Sequence, residues 1–309
     1  MKKIIVVAGP TAVGKTEYAL KIAEEFNGEI VSCDSMQLYK YMDIGSAKPT
    51  GDQLSRVKHY LVDEVDPRDD FSVAKYEEKA KKAIKHIHDK GKMPVISGGT
   101  GLYLNAILYE MDFGTVPKQD EYRKALETLV LDQGKMAVYE LLEKQDPQAA
   151  QRIHPNNTQK IIRALETVKA TGKGMKPFTQ VNTPVKDYEP ILIGLTRDRK
   201  ELYSRINLRV EQLMDQGLVS EVESLLDMGL TENHISMKGI GYKEIIDYLR
   251  GKYDLLTATE KIRQNTRNYA KRQLTWLRRY DTIKWFNLSD YDTEKQGFKE
   301  ISLWLNQNK

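Results

Sequence analysis

The sequence predicts an α/β protein: a parallel-sheet core of P-loop type covered by helices, carrying an α-helical insertion domain. Three observations predict it. Short apolar runs alternate with amphipathic segments through the first third of the chain, the pattern of a parallel sheet covered on both faces. The stretch GPTAVGKT stands between the first run and the first segment and fits the phosphate-wrapping pattern G-x-x-x-x-G-K-[ST]. A long middle stretch has helical spacing and no strand-like run.

Taken in order, residues 4–8 (IIVVA) read as a buried strand, 9–14 as the loop and 15–26 as a helix. Residues 30–33, 60–65 and 95–97 read as further strands, with a helix over 73–90 before the last of them. Residues 121–144 and 158–171 carry the apolar spacing of helices, and the Gly/Pro-rich GKGMKPFTQVNTP follows. Residues 115–189 are therefore assigned to the insertion, and 1–114 with 190–309 to the catalytic core. Runs at 191–195 and 283–286 would complete the sheet, and 200–280 is mostly helical.

Composition narrows the class. The chain of 309 residues is long for one domain and suits a core with an insertion. Cys33 is the only cysteine, which excludes an intramolecular disulfide and a Cys-rich zinc site and suits a reducing cytoplasm. The apolar run at 4–8 is too short for a secretory signal, and no stretch approaches the roughly 20 apolar residues that span a bilayer. No membrane partner is expected. The five histidines lack ligand-like spacing. Net charge is +4, so the placement of positive charge matters more than its sum.

Two features carry chemistry. In the loop, Gly9, Pro10, Thr11, Ala12, Val13 and Gly14 would turn backbone N–H groups onto phosphate oxygens, helped by the helix N-terminus. Lys15 would neutralise a terminal phosphate and the Thr16 hydroxyl would sit on Mg²⁺. Most such loops hold ATP or GTP, and the pattern is silent on what carries the phosphate. A hydrolytic enzyme would also need a strand ending in a metal-holding aspartate. VISGGTG offers no carboxylate, whereas EIVSCDSMQLY offers Asp34 at the end of its strand, where ligands bind in open α/β sheets. Asp34 could hold a metal, act as a general base, or be a solvated loop residue.

The second feature is KIRQNTRNYAKRQLTWLRRY (261–280), with seven Lys/Arg and no acid. On a helical wheel Ile262, Tyr269, Ala270, Trp276, Leu277 and Tyr280 share one side, and Arg263, Arg267, Lys271, Arg272, Arg278 and Arg279 cover most of the other. Such a face suits a polyanion bound in a salt-dependent way. MKGIGYKE (237–244) is a second basic spot, whose glycines allow close approach. A phosphate cradle joined to a nucleic-acid face suggests a transferase acting on RNA or DNA.

The pieces GPTAVGKT, DSMQLYKYMDIGSAKPT, SGGTGLYLNAIL, NTQKIIRALE, GIGYKE and RNYAKRQLTWLRR together resemble the tRNA dimethylallyltransferase family, in its bacterial form, over nearly the whole chain. The resemblance implies transfer of a five-carbon prenyl group from dimethylallyl diphosphate to N6 of the adenine 3′ of the tRNA anticodon. The phosphate in the loop would then be the donor's diphosphate, with Mg²⁺ as cofactor. Arg209 in NLRVEQLM matches a family arginine near the diphosphate, and Asp34 becomes the general base. Asp34, Ser35, Met36 and Gln37 would contact the target base and its neighbours, and Thr100, in the matching GGTG turn, would also meet the tRNA. Arg123, Gln159 and Arg163 in the insertion, Lys238 and Lys243, and Arg267, Lys271, Arg272 and Arg278 would grip the anticodon stem-loop. The insertion would act as a clamp, and a monomer is expected. Val13 departs from the family pattern, which has a small hydroxyl residue there. No Cys/His finger stands near the end, unlike the eukaryotic relatives. Two other enzyme classes share part of the pattern: an adenylate-type prenyltransferase on a free nucleotide, and a P-loop small-molecule kinase.

Overall fold

The computed structural model describes residues 2–111, 120–175 and 183–309. Its sheet has six strands: β1 (Lys3–Ala8), β2 (Gly28–Cys33), β3 (His59–Tyr60), β4 (Met93–Gly98), β5 (Glu189–Thr196) and β6 (Lys284–Asn287). They lie in the order β3-β2-β4-β1-β5-β6, and every neighbouring pair is parallel. Parallel strands need crossover helices, and these cover both faces. In chain order the helices are α1 (Lys15–Glu25), α2 (Gly51–Arg56), α3 (Val73–Asp89), α4 (Gly101–Leu108), α5 (Asp120–Gln133), α6 (Lys135–Gln145), α7 (Pro147–Arg152) and α8 (Thr158–Thr171). After β5 come α9 (Arg199–Asp215), α10 (Leu218–Asp227), α11 (Tyr242–Leu249), α12 (Leu255–Leu277) and, beyond β6, α13 (Glu294–Asn308).

Strand alternation builds two apolar layers. Ile4, Val6 and Ala8 of β1 face a layer that includes Ile84 and Ile87 of α3, Leu104 of α4 and Ile262 of α12. Ile5 and Val7 face the opposite layer, with Leu20 and Ile22 of α1, Ile206 of α9 and Ile301 and Leu305 of α13. The middle strands are covered on both sides, so they read as unbroken apolar runs rather than alternating ones.

The chain forms two compact units, one of residues 1–109 and 184–309 and one of residues 110–183. The second holds α5 to α8 around its own core of Leu126, Val138, Leu142, Ile161 and Leu165. Its return point is Pro184, earlier than the 190 expected from sequence. Val185 and Tyr188 are buried in the core unit, and Tyr188 Oη donates to Ile107 O at 2.7 Å. Residues 112–114 at the expected front boundary lie outside the described residues.

Two elements differ from the sequence reading. The strand expected over 60–65 shrinks to two residues, because Leu61 and Asp63 adopt φ of 61° and 59° and break the extended run. Val65 keeps only an isolated bridge to Tyr39. The helix expected over 121–144 is two helices, α5 and α6, parted by Gly134 at φ 83°. Among the described residues no helix is long and apolar enough to cross a membrane.

Candidate active site

The glycine-rich loop leaves the carboxyl end of β1 and enters α1. Gly9 is required sterically: a Cβ there would lie 2.7 Å from Leu195 O of β5. Gly14 caps α1 at φ 109°, and Ala12 takes φ 63°, a strained value for a residue with a side chain. Two arginines beyond β5 hold the loop from behind. Arg205 Nε donates to Ala12 O and Arg197 Nε donates to Val13 O, each at 3.0 Å. With those carbonyls engaged, the strained turn is fixed before any ligand arrives. Val13 is fully buried in the α1-side layer. Its side chain serves the core, so the absence of a hydroxyl there leaves the backbone cradle intact.

Lys15 Nζ donates to Pro10 O at 2.7 Å, folding the ammonium back over the loop. Part of the side chain is accessible, but the ammonium itself is crowded by protein. Burial pulls its pKa down to about 8; the Asp34 carboxylate opposes this and the Arg209 guanidinium adds to it. Arg209, on α9, is likewise held below the ordinary arginine value by burial, with Asp34 opposing. Two desolvated cations and one carboxylate therefore share this end of the sheet. The excess positive charge favours an anion, which would restore both cations' hold on their protons.

Asp34 follows β2. Its Oδ1 accepts from Met36 N at 2.9 Å and Gln37 N at 3.4 Å, closing an Asx turn. Ser35 N donates to Thr100 Oγ1 at 3.2 Å, and Thr100 N donates to Cys33 O at 3.2 Å. Gln37 Nε2 reaches Ala47 O at 3.2 Å. Residues 43–45 are held in turn by Glu221 of α10, which accepts from Asp43 N, Ile44 N and Gly45 N at 2.7, 2.7 and 2.9 Å, and from Tyr242 Oη at 2.8 Å. The segment Asp34–Gln37 is thus braced from three directions. Cys33 is buried and its thiol is pushed up to about 12, chiefly by burial, which makes it an inert core residue.

Helix α12 docks on these loops. Tyr269 lies beside Asp34 and Thr100. Burial first, then the Asp34 charge, pushes its phenol up to about 12, while the nearby Thr100 hydroxyl opposes the shift. Gln273, which the sequence reading missed, is buried and bridges two loops: its Oε1 accepts from Thr11 N at 2.8 Å and its Nε2 donates to Gly99 O at 3.0 Å. Gly99 and Gly101 permit the approach; a Cβ on Gly99 would lie 2.3 Å from Gln273 Nε2, and one on Gly101 2.3 Å from the Trp276 ring. The signal for Gln273 was present, since it stands one helical turn from Tyr269 on an otherwise apolar stripe. Arg197 and Arg205 gave no comparable signal.

The basic face of α12 divides in two. Lys271, Arg272, Arg278 and Arg279 are exposed. Arg263 and Arg267 are not open in the way the wheel suggested. Arg263 pairs with Glu211 at 2.7 Å and Glu260 at 3.4 Å, and Arg267 with Glu260 at 2.9 Å and Asn207 at 2.8 Å. Glu260 stands one residue before the acid-free window, and Glu211 comes from α9. Lys238 and Lys243 are exposed, and Gly239 between them lies against Met36. In the second unit Gln159 is exposed, whereas Arg123 makes a bidentate pair with buried Glu166 at 2.7 and 2.8 Å, joined by Arg163 at 3.8 Å. Arg123 is at least a pin of that unit's own core.

Thr16 lines a cavity of about 20 Å³ with Ser32, Gln37, His59 and Ser97. Among the described residues no group of three or more His, Cys, Asp or Glu could hold a metal. The oxygen donors at hand suit Mg²⁺ held by one hydroxyl, substrate phosphates and water, rather than a protein cage.

Fold and loop together define an α/β protein of P-loop type whose glycine-rich loop packs against a helix that carries exposed cations on its other face. The IPP transferase family model matches residues 37–280, and the chain belongs to that family. A tRNA dimethylallyltransferase of Alkaliphilus oremlandii is 48% identical over 94% of this chain and 93% of its own. That of Clostridioides difficile is 47% identical over 99% and 98%. The crystal structure of the full-length tRNA isopentenylpyrophosphate transferase from Bacillus halodurans matches with a TM-score of 0.75 and 41% identity, covering 99% of this chain and 96% of that one. A eukaryotic dimethylallyltransferase acting on tRNA matches with a TM-score of 0.82 and 28% identity, covering 100% of this chain and 80% of that one.

Proposed function

We propose that the chain transfers the dimethylallyl group of dimethylallyl diphosphate to N6 of the adenine 3′ of a tRNA anticodon, releasing diphosphate. The observation that carries this reading is the glycine-rich loop between β1 and α1 with the Lys15 ammonium folded over it, 2.7 Å from Pro10 O, near enough to Asp34 and Arg209 for their charges to act on it.

Cleavage of the allylic C–O bond puts positive charge on carbon and negative charge on the leaving diphosphate. The loop amides, Lys15 and Arg209 are the groups here that would stabilise that departure, being preorganised and partly desolvated. Mg²⁺, bound through Thr16 and the diphosphate, would supply further charge neutralisation. As the C–N bond forms at N6, the amine loses a proton, for which Asp34 is the acceptor at hand. The adenine must leave its stack to reach the buried carbon, which is cheapest in a single-stranded loop. Asp34, Ser35, Met36, Gln37 and Thr100 form the rigid wall it would meet, and the exposed cations of α12, Lys238 and Lys243 would hold the surrounding phosphates. Arg123, Gln159 and Arg163 would contribute from the second unit.

The test is incubation of the purified protein with Mg²⁺, labelled dimethylallyl diphosphate and total tRNA, followed by nucleoside analysis. Label on N6 of one adenosine in tRNA is expected. Label in free nucleotide without RNA, or ATP turnover without the prenyl donor, would replace the proposal with an adenylate-type prenyltransferase or a kinase.

A further inference from the structure

One stripe of α12 is buried against the catalytic loops while the opposite face presents cations to solvent. On the buried stripe, Tyr269 lies beside Thr100 and Asp34, Gln273 joins Thr11 to Gly99, and Trp276 packs on Gly101 and donates to Tyr280 Oη at 3.3 Å. Tyr280 Oη in turn donates to Asn105 of α4. Gln273 touches the glycine-rich loop through a hydrogen bond, and it does so with both ends of its amide engaged. Its immediate neighbours, Lys271 and Arg272, are exposed.

We propose that Gln273 is a positioning residue that couples RNA engagement on the outer face of α12 to the shape of the diphosphate cradle. The inference rests on the proposed activity and names a route by which its two substrates influence each other. Nucleic acid gripping Lys271 and Arg272 restrains α12. Through Gln273 that restraint reaches Thr11 of the loop and Gly99 of the facing turn together. A cradle already ordered by one ligand costs less to order for the other, which appears as mutual tightening. The effect is reciprocal by linkage.

The test compares the parent with Gln273→Leu and Gln273→Glu. Leu keeps bulk and removes both hydrogen bonds, while Glu keeps the acceptor for Thr11 N and loses the donor to Gly99 O. The probe is inorganic diphosphate with Mg²⁺, titrated with and without a saturating anticodon stem-loop RNA. In the parent the RNA should tighten diphosphate about tenfold. In Gln273→Leu that ratio should fall to about one while RNA affinity stays near the parent's, and Gln273→Glu should lie between. A merely structural Gln273 would weaken both ligands and leave the ratio alone, which overturns the proposal. So does a parent that shows no RNA effect yet transfers the prenyl group, an outcome that leaves the activity standing. A parent that transfers nothing indicts the activity itself. If Gln273→Leu does not fold, Gln273→Glu decides: a reduced ratio supports coupling and the parental ratio overturns it.

Discussion

At the scale of single residues, the site separates charge from scaffolding, and substitutions can do the same. Asp34 has two duties, because Oδ1 closes the Asx turn through Met36 N and Gln37 N. Asp34→Asn keeps an acceptor for the turn and loses the carboxylate. It should unfold near the parent's temperature and bind both substrates, yet slow single-turnover transfer by about 10²–10⁴-fold, the usual worth of a general base. Turnover within threefold of the parent would remove Asp34 from that role. Lys15 gives a pH prediction. Its pKa is lowered to about 8, so the free enzyme carries the ammonium below that pH and loses it above. A polyanionic donor binds the protonated form. The kcat/KM for dimethylallyl diphosphate should therefore hold steady below about pH 8 and fall about tenfold per pH unit above it. Lys15→Arg keeps its proton throughout and should abolish that alkaline limb, whatever it does to the plateau.

At the scale of the element, α12 shows why a helical wheel is informative but incomplete. Its amphipathic spacing was legible because Ile262, Ala270 and Leu277 bury and Lys271, Arg272, Arg278 and Arg279 do not. What the wheel could not show was the neighbour: Glu211 arrives from α9, and with Glu260 it neutralises Arg263 and Arg267. The two kinds of cation should behave differently. Changing Lys271 and Arg272 together to Ala should weaken tRNA binding across sequences and lower the slope of log affinity against log salt by about 2. Arg267→Ala should leave that slope nearly unchanged and act on stability instead, through the loss of its partly buried pair with Glu260 and Asn207. Filter binding from low to high salt reads the first, and thermal unfolding the second. Equal slopes for both variants would mean that the ion pairs open to admit RNA. The same gap between pattern and partner explains Gln273, whose purpose exists only once Thr11 and Gly99 are brought to it, and Arg197 and Arg205, whose targets are backbone carbonyls that no side-chain pattern records.

At the scale of the whole molecule, local rules carried the sheet and its helices because β1, β2, β4 and β5 are buried on both faces and must read apolar. They failed where backbone conformation decided, at Leu61, Asp63 and Gly134; at the return from the insertion, Val185 and Tyr188 join the core just after the Gly/Pro-rich run ends at Pro184, ahead of the apolar run that had marked the boundary. That return defines a test of modularity. The two exits of the core unit meet side by side: Tyr109 and Pro184 form an antiparallel bridge, and Val185 N donates to Leu108 O at 3.2 Å. Closing a gap between neighbouring strands takes a short turn, and the entropic cost of loop closure grows only slowly with length. Residues 110–183 keep their own apolar core, and the core unit keeps its own two layers. A chain in which a Gly/Ser turn joins Tyr109 to Pro184 should therefore unfold in one cooperative transition and bind diphosphate with Mg²⁺ at close to the parent's affinity, since Gly9 to Thr16, Asp34, Arg209 and Gln273 all lie in the retained unit. It should bind tRNA more weakly, having lost Gln159 and the cations around Arg163. Calorimetry and two titrations separate the outcomes. A broad or absent transition would show that the excised unit is needed to fold the core. Unchanged tRNA affinity would show that the insertion is no clamp, and that the cations of α12, with Lys238 and Lys243, bear the RNA alone.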